Sequence, residues 1–172
     1  MRKTLTRAVA TLAVFLAAFS ALVAPASAAT SAKSTAVTAK GSKGQTLTVA
    51  KTKNLVDGSS VTAVGKGYDL NTGIYLTYCV VPPKGQRPEI CGPFDVTGAH
   101  NDSFWISNNP PFYAALLVKH FDAKGGFKFS IKVTRFIGNQ DCKKVQCAVL
   151  TRADHTASGN RLADVIVPVT IK

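Results

Sequence analysis

The sequence predicts an all-β domain: an immunoglobulin-like antiparallel sandwich of about seven strands with two local disulfides. Three observations carry that prediction. From Thr46 onward, short runs rich in Val, Ile, Thr, Phe and Tyr are separated by clusters of Gly, Asn, Asp and Pro. In the run from Phe127 to Val133, Phe127, Phe129, Ile131 and Val133 share one face while Lys128, Ser130 and Lys132 share the other, as in a sheet with one face on a core and one in water. Beyond the N-terminal segment no convincing helix-period stretch occurs, the best being about two turns at residues 113–121.

Taken in order, the expected strands are residues 47–51, 60–65, 74–81, 93–97, 104–107, 127–134, 145–151 and 164–171. Asp57-Gly58 separates the first two, as a hairpin turn would. Gly65-Lys66-Gly67-Tyr68 follows the second, where glycine permits backbone angles that other residues resist. In the last strand Val165, Val167, Val169 and Ile171 alternate with Ile166, Pro168 and Thr170. Pro168 cannot donate to a ladder, which puts that strand at an edge or a bulge. Seven or eight short strands in so short a chain fit two packed sheets. The inter-sheet disulfide of antibody domains is absent, because neither Cys interval is wide enough.

The chain begins with an export signal. Arg2, Lys3 and Arg7 form a positive region, Ala8 to Val23 is apolar apart from Thr11 and Ser20, and Ala26-Ser27-Ala28 supplies the small residues of a cleavage site before Ala29. That run is shorter than the ~20 residues needed to span a bilayer, so no stable membrane span is expected and the protein is read as secreted and extracellular. Cleavage leaves 144 of 172 residues, enough for one core. It lowers the net charge from +12 to +9. With 46% of residues apolar and 17% charged, the composition excludes a disordered chain. Residues 29–45, almost all Ala, Ser, Thr, Lys and Gly, read as a flexible linker, and residues 46–172 as the folded domain.

All four cysteines follow the signal: Cys79, Cys91, Cys142 and Cys147. An even number in an exported chain reads as two disulfides, and three pairings are open. Both short intervals are full of turn formers, which favours Cys79 with Cys91 and Cys142 with Cys147, each worth about 2–3 kcal/mol in the chain-entropy picture. The spacings do not match a zinc site and the three histidines are scattered, so no metal is expected.

Several of these segments together resemble the neocarzinostatin family. They are the Leu55-Val56-Asp57-Gly58 turn, the Gly65-Lys66-Gly67-Tyr68 segment, the loop from Tyr78-Cys79 to Ile90-Cys91-Gly92, and Asp141-Cys142-Lys143-Lys144-Val145-Gln146-Cys147 before an Ala-Asp-bearing loop and a closing strand. The resemblance covers most of residues 46–172. It implies a seven-stranded immunoglobulin-like sandwich with both disulfides local. It also implies a secreted antibiotic apoprotein that holds an apolar chromophore noncovalently in a cleft and delivers it to DNA. The cleft floor would be Cys79 and Cys91, with Val81 where the family has an aromatic residue, and Ala148, Leu150 and Arg152 where it keeps small or polar ones. The long hairpin before the second Cys pair is reduced to residues 136–140. Residues 104–121 look inserted, and they bring Trp105, Phe112 and Tyr113. Family apoproteins are acidic, whereas this chain is basic.

Two functions are therefore weighed. One is a small-molecule carrier whose cleft near Cys79, Val81 and Cys91 is walled by Phe94, Trp105 and Leu150. The other is a basic extracellular or cell-envelope interaction module that keeps the fold without a chromophore. Its partners would be anionic envelope polymers or lipid headgroups, and any DNA contact would be electrostatic and salt-dependent. Catalysis has little support. His100, His120 and His155 stand alone, neighbours such as Asp154 and His155 on a strand would face opposite ways, and Arg152, Asp154 and His155 read as a polar loop. Tyr75 or Tyr113 with a histidine would be the ligands of a haem, but no spacing selects for one, so no cofactor is expected.

Overall fold

β-Branched and aromatic residues at alternate positions prefer a pleated surface buried on one side, and the chain folds accordingly. The computed structural model describes residues 35–95 and 100–172. The expected export signal and its expected cleavage site lie outside the described residues. The strands are β1 (Val37–Lys40), β2 (Thr46–Val49), β3 (Ser60–Lys66), β4 (Ile74–Val80), β5 (Ser103–Ile106), β6 (Phe127–Lys132), β7 (Phe136–Ile137), β8 (Gln140–Asp141), β9 (Cys147–Ala153) and β10 (Val165–Val169). Two single-turn 3-10 helices, Phe112–Ala114 and His155–Ala157, complete the described elements.

One sheet has the order β1-β2-β3-β6 and the other β10-β9-β4-β5, with every pairing antiparallel. The core lies between them. Leu47, Val49, Val61, Ala63, Phe127 and Ile131 meet Ile74, Leu76, Tyr78, Phe104, Ile106, Val149, Val165, Val167 and Val169. The alternation read in residues 127–133 is realised: Phe127 and Ile131 are buried, Lys128 and Ser130 exposed, and Phe129 stacks on Phe104 at 4.6 Å. Gly65 of β3 faces the Phe127 ring so closely that a Cβ there would overlap it, which gives that glycine a packing reason. Pro168 lies on β10, an outer strand, as its missing N–H requires.

The structure corrects several expectations. Residues 37–40 of the expected linker form β1 on β2, pairing Val37 with Val49, and Gln45 is buried, so the folded unit begins before residue 46. The sheet supplies partners that the tail's own composition does not advertise. No strand spans 93–95, the described part of the expected strand at 93–97; instead Cys91 bridges to Cys79. Ser103–Ile106 is a full member of the second sheet, close to the expected strand at 104–107, so of the segment read as inserted Phe104 and Trp105 stand on a strand. The stretch with the best helical period, 113–121, holds only the end of the 3-10 turn Phe112–Ala114, in keeping with the absence of a convincing helix signal. Asp57-Gly58 makes a turn, with Gly58 at φ +74°, but inside a ten-residue connection rather than a tight hairpin. Both disulfides are the local ones, Cys79–Cys91 and Cys142–Cys147. The second follows a minimal β7–β8 hairpin, closed by a bidentate Arg135–Asp141 pair at 3.1 and 2.8 Å.

Candidate ligand-binding face

A sheet that packs one face on a core ordinarily turns polar side chains outward on the other. The β10-β9-β4-β5 sheet does not: Ile74–Thr77, Tyr78 and Cys79 of β4 are all buried, as are Cys147–Thr151 and Ala153 of β9. Residues of β4 that point away from the core are Tyr75, Thr77 and Cys79, and the register extends each into a row. The first row runs Trp105, Tyr75, Arg152. The second runs Ser103, Thr77, Leu150, Ile166. The third runs Cys91, Cys79, Ala148, Pro168. The face thus grades from an aromatic and cationic end to an apolar end carrying a disulfide.

At the apolar end Cys79, Ala148 and Leu150 are fully buried, with Val81, Cys91 and Ile166 packed against them. An open groove of about 290 Å³ between Val80-Val81 and residues 82–90 adjoins this end. At the other end Tyr75, Trp105, Ala114 and Val118 form a second cluster, so residues 107–121 roof the aromatic row. Phe94, half exposed, packs edge-on against Tyr75 at 4.6 Å. Arg152 lies over the Tyr75 ring at 5.3 Å. Its Nε is buried without a hydrogen-bond partner among the described residues, as is Oδ1 of Asp164. Arg161 binds the other oxygen of that carboxyl at 2.9 Å. Burial nevertheless pushes Asp164 up to about 6, outweighing the arginines beside it.

A polar network fixes the aromatic end. Trp105 Nε1 donates to Asp154 Oδ2 at 2.8 Å, and the other Asp154 oxygen accepts from Thr156 N at 2.9 Å, capping the second 3-10 turn. That cap holds His155 between two phenols: Tyr75 Oη at 2.6 Å from Nδ1 and Tyr113 Oη at 3.0 Å from Nε2. A neutral imidazole has one donor and one acceptor, so one tyrosine donates and the other accepts, and neither bond is wasted. Burial also raises the Tyr75 phenol above its ordinary pKa.

The expected site residues divide between the two ends. Cys79, Val81, Cys91 and Leu150 meet in one cluster, whereas Phe94 and Trp105 meet only through Tyr75. Leu150 is a floor residue under full cover rather than a wall. The polar loop expected of Arg152, Asp154 and His155 is not formed as such: Arg152 sits on β9 and Asp154 pairs with Trp105. Ala148, expected at the cleft, lies on the face, and Tyr75 and His155 complete it without having been read as its parts. A second period-two reading of residues 74–80, asking what the outward set would be, points to Tyr75. Among the described residues no group of three His, Cys, Asp or Glu side chains converges to hold a metal.

No protein-family model matches the chain, and no curated protein matches it. Among solved structures the chain is similar to macromomycin, of the neocarzinostatin family that the cysteine loops resemble. The two share 19% sequence identity and a TM-score of 0.49, over 74% of this chain and 99% of that one.

Proposed function

We propose that this chain is an exported, non-enzymatic binding protein that holds an apolar, aromatic small molecule on the outer face of the β10-β9-β4-β5 sheet. The observation that carries the reading is that this face is apolar where a solvated sheet face would be polar, at Cys79, Ala148, Leu150, Tyr75 and Trp105. Residues Val81, Cys91 and Phe94 pack over one part of it and Ala114 and Val118 over the other, so a ligand would have to displace part of this cover. Arg152, bound to no carboxylate among the described residues, would supply the polar anchor that such sites add to an apolar lining. The resemblance of the cysteine loops to the neocarzinostatin family points the same way, toward a chromophore-like ligand.

Native mass spectrometry on protein released by its own host, before and after denaturation, tests this. A mass excess that disappears on unfolding with both disulfides intact supports the carrier. A bare polypeptide that also ignores apolar aromatic probes refutes it. The full burial of Leu150 beneath the protein's own loops favours a second reading, an interaction module for anionic envelope polymers that keeps the fold and fills the cleft itself. Such binding would weaken steeply with salt and be indifferent to apolar probes.

A further inference from the structure

Residues 107–121 leave two large apolar side chains almost wholly in water: Phe112 is 95% exposed and Leu116 98%. That exposure is held in place by the fold. At the neck of the loop, Lys119 N donates to Trp105 O at 2.7 Å and Ser107 N to Lys119 O at 2.9 Å. Asn108 binds the Phe121 backbone through both its amide atoms, at 2.8 and 3.4 Å. Inside the loop Ala114 and Val118 are buried against Tyr75 and Trp105. The tip therefore stands on a clamped base, stiffened by Pro110-Pro111, and points Phe112 and Leu116 outward.

We propose that this tip inserts into the surface of an anionic lipid bilayer. Three features select a lipid surface. The tip is convex, and a bilayer accepts a convex apolar wedge without a matching groove. Part of its backbone is bonded within the tip, Ala114 N to Pro111 O and both Leu117 N and Val118 N to Ala114 O, which lowers the cost of leaving water. Charge is arranged to match: residues 103–118 contain no charged residue, and Lys119 and His120 follow immediately. Arg152 stands at the base, over the Tyr75 ring against which Ala114 and Val118 pack. Tyr113, 59% exposed with its hydroxyl tied to His155, has the amphipathic character of residues at the headgroup level. A basic chain adds long-range attraction to the same lipids.

The test is flotation of the protein, as its host processes it, with phosphatidylcholine vesicles with and without phosphatidylglycerol. Binding to the anionic vesicles is expected, and F112S and L116S each weaken it by about tenfold, the loss that follows from keeping one large apolar side chain out of lipid. Both variants should melt like the parent, because neither side chain packs on the core. Trp105 is the chain's only tryptophan and is buried, so Phe112→Trp adds an independent reading. Bromine-labelled lipid should quench the new indole and leave the parent's emission unchanged. The proposal is overturned if the parent does not bind, if the serine variants bind equally well, or if the new indole is not quenched. A dimer in free solution that the serine variants abolish would overturn it too, assigning the tip to a second copy.

Discussion

Replacing Trp105 by phenylalanine probes the polar hinge of the binding face. The indole N–H reaches Asp154 Oδ2 at 2.8 Å, and the two residues are 4% and 2% exposed. A hydrogen bond to a charged group is worth about 1.5–3 kcal/mol, and the lost ring area adds about 1 kcal/mol, so Trp105→Phe should cost about 2.5–4 kcal/mol. For a domain of this size that lowers Tm by about 10 °C. The assay is urea unfolding followed by circular dichroism, because the substitution removes the only tryptophan. A double-mutant cycle with Asp154→Ala separates the bond from the loss of the Thr156 cap, which both Asp154 variants share. Coupling of about 1.5–3 kcal/mol is expected. A value under about 0.5 kcal/mol would refute the reasoning, since the carboxylate would then be indifferent to the indole and the position of His155 would need another cause.

Three further outcomes are expected. Leu150→Ala, at a fully buried position, should cost about 2–5 kcal/mol and leave a void on the binding face. A small apolar probe should recover part of that loss, read as a rise in Tm on adding the probe. Gly73→Ala should destabilise out of proportion to its size, because a Cβ there would overlap Asp154 Oδ2, the atom that binds Trp105; thermal melts of the single and Trp105→Phe double variants should show the two effects overlapping. Two carboxyls set opposite pH limbs against an ordinary aspartate value of about 3.9. Asp164, pushed up to about 6, prefers to be protonated in the folded state, so stability should rise as pH falls from about 6 to 4. Asp141, held down at about 2 chiefly by Arg135, contributes stability above pH 4 that is lost as pH falls toward 2. Melts across this range should peak near pH 4–5, with Asp164→Asn flattening the upper limb and Asp141→Asn the lower.

The parts of the fold legible in the sequence are those in which one strand states its own environment. Phe127 to Val133 and Val165 to Val169 alternate strictly, and Pro168 marks its strand as an outer one. Residues 37–40 were illegible because Val-Thr-Ala-Lys carries little apolar signal; the partner β2, not local composition, makes them a strand. Segment 104–121 misled for the opposite reason. Its aromatic residues belong half to β5 and half to a loop, and the boundary is set by the pairing of Tyr75 with Trp105. At the candidate site, nearness in sequence to a cysteine found Val81 and Ala148, while Tyr75 is joined to the face only by register. The Trp105–Asp154 bond spans 49 positions, and no local pattern encodes it.

The outer strands of the two sheets have a consequence for behaviour at high concentration. Unpaired strand edges are templates on which further copies can zip, and here each is blunted differently. β10 carries Pro168, which withholds a donor. β5 is shut by the Lys119 segment, through Lys119 N to Trp105 O and the Ile106–Lys119 bridge. β6 presents Lys128 and Lys132, and Lys132 N is already given to Asn101 O. β1 spans four residues and ends in Lys40. A flat run on which fibrillar growth could begin is thus missing from every described edge, so the same sheets that display an apolar tip and an apolar face can do so in a crowded medium without polymerising through their backbones.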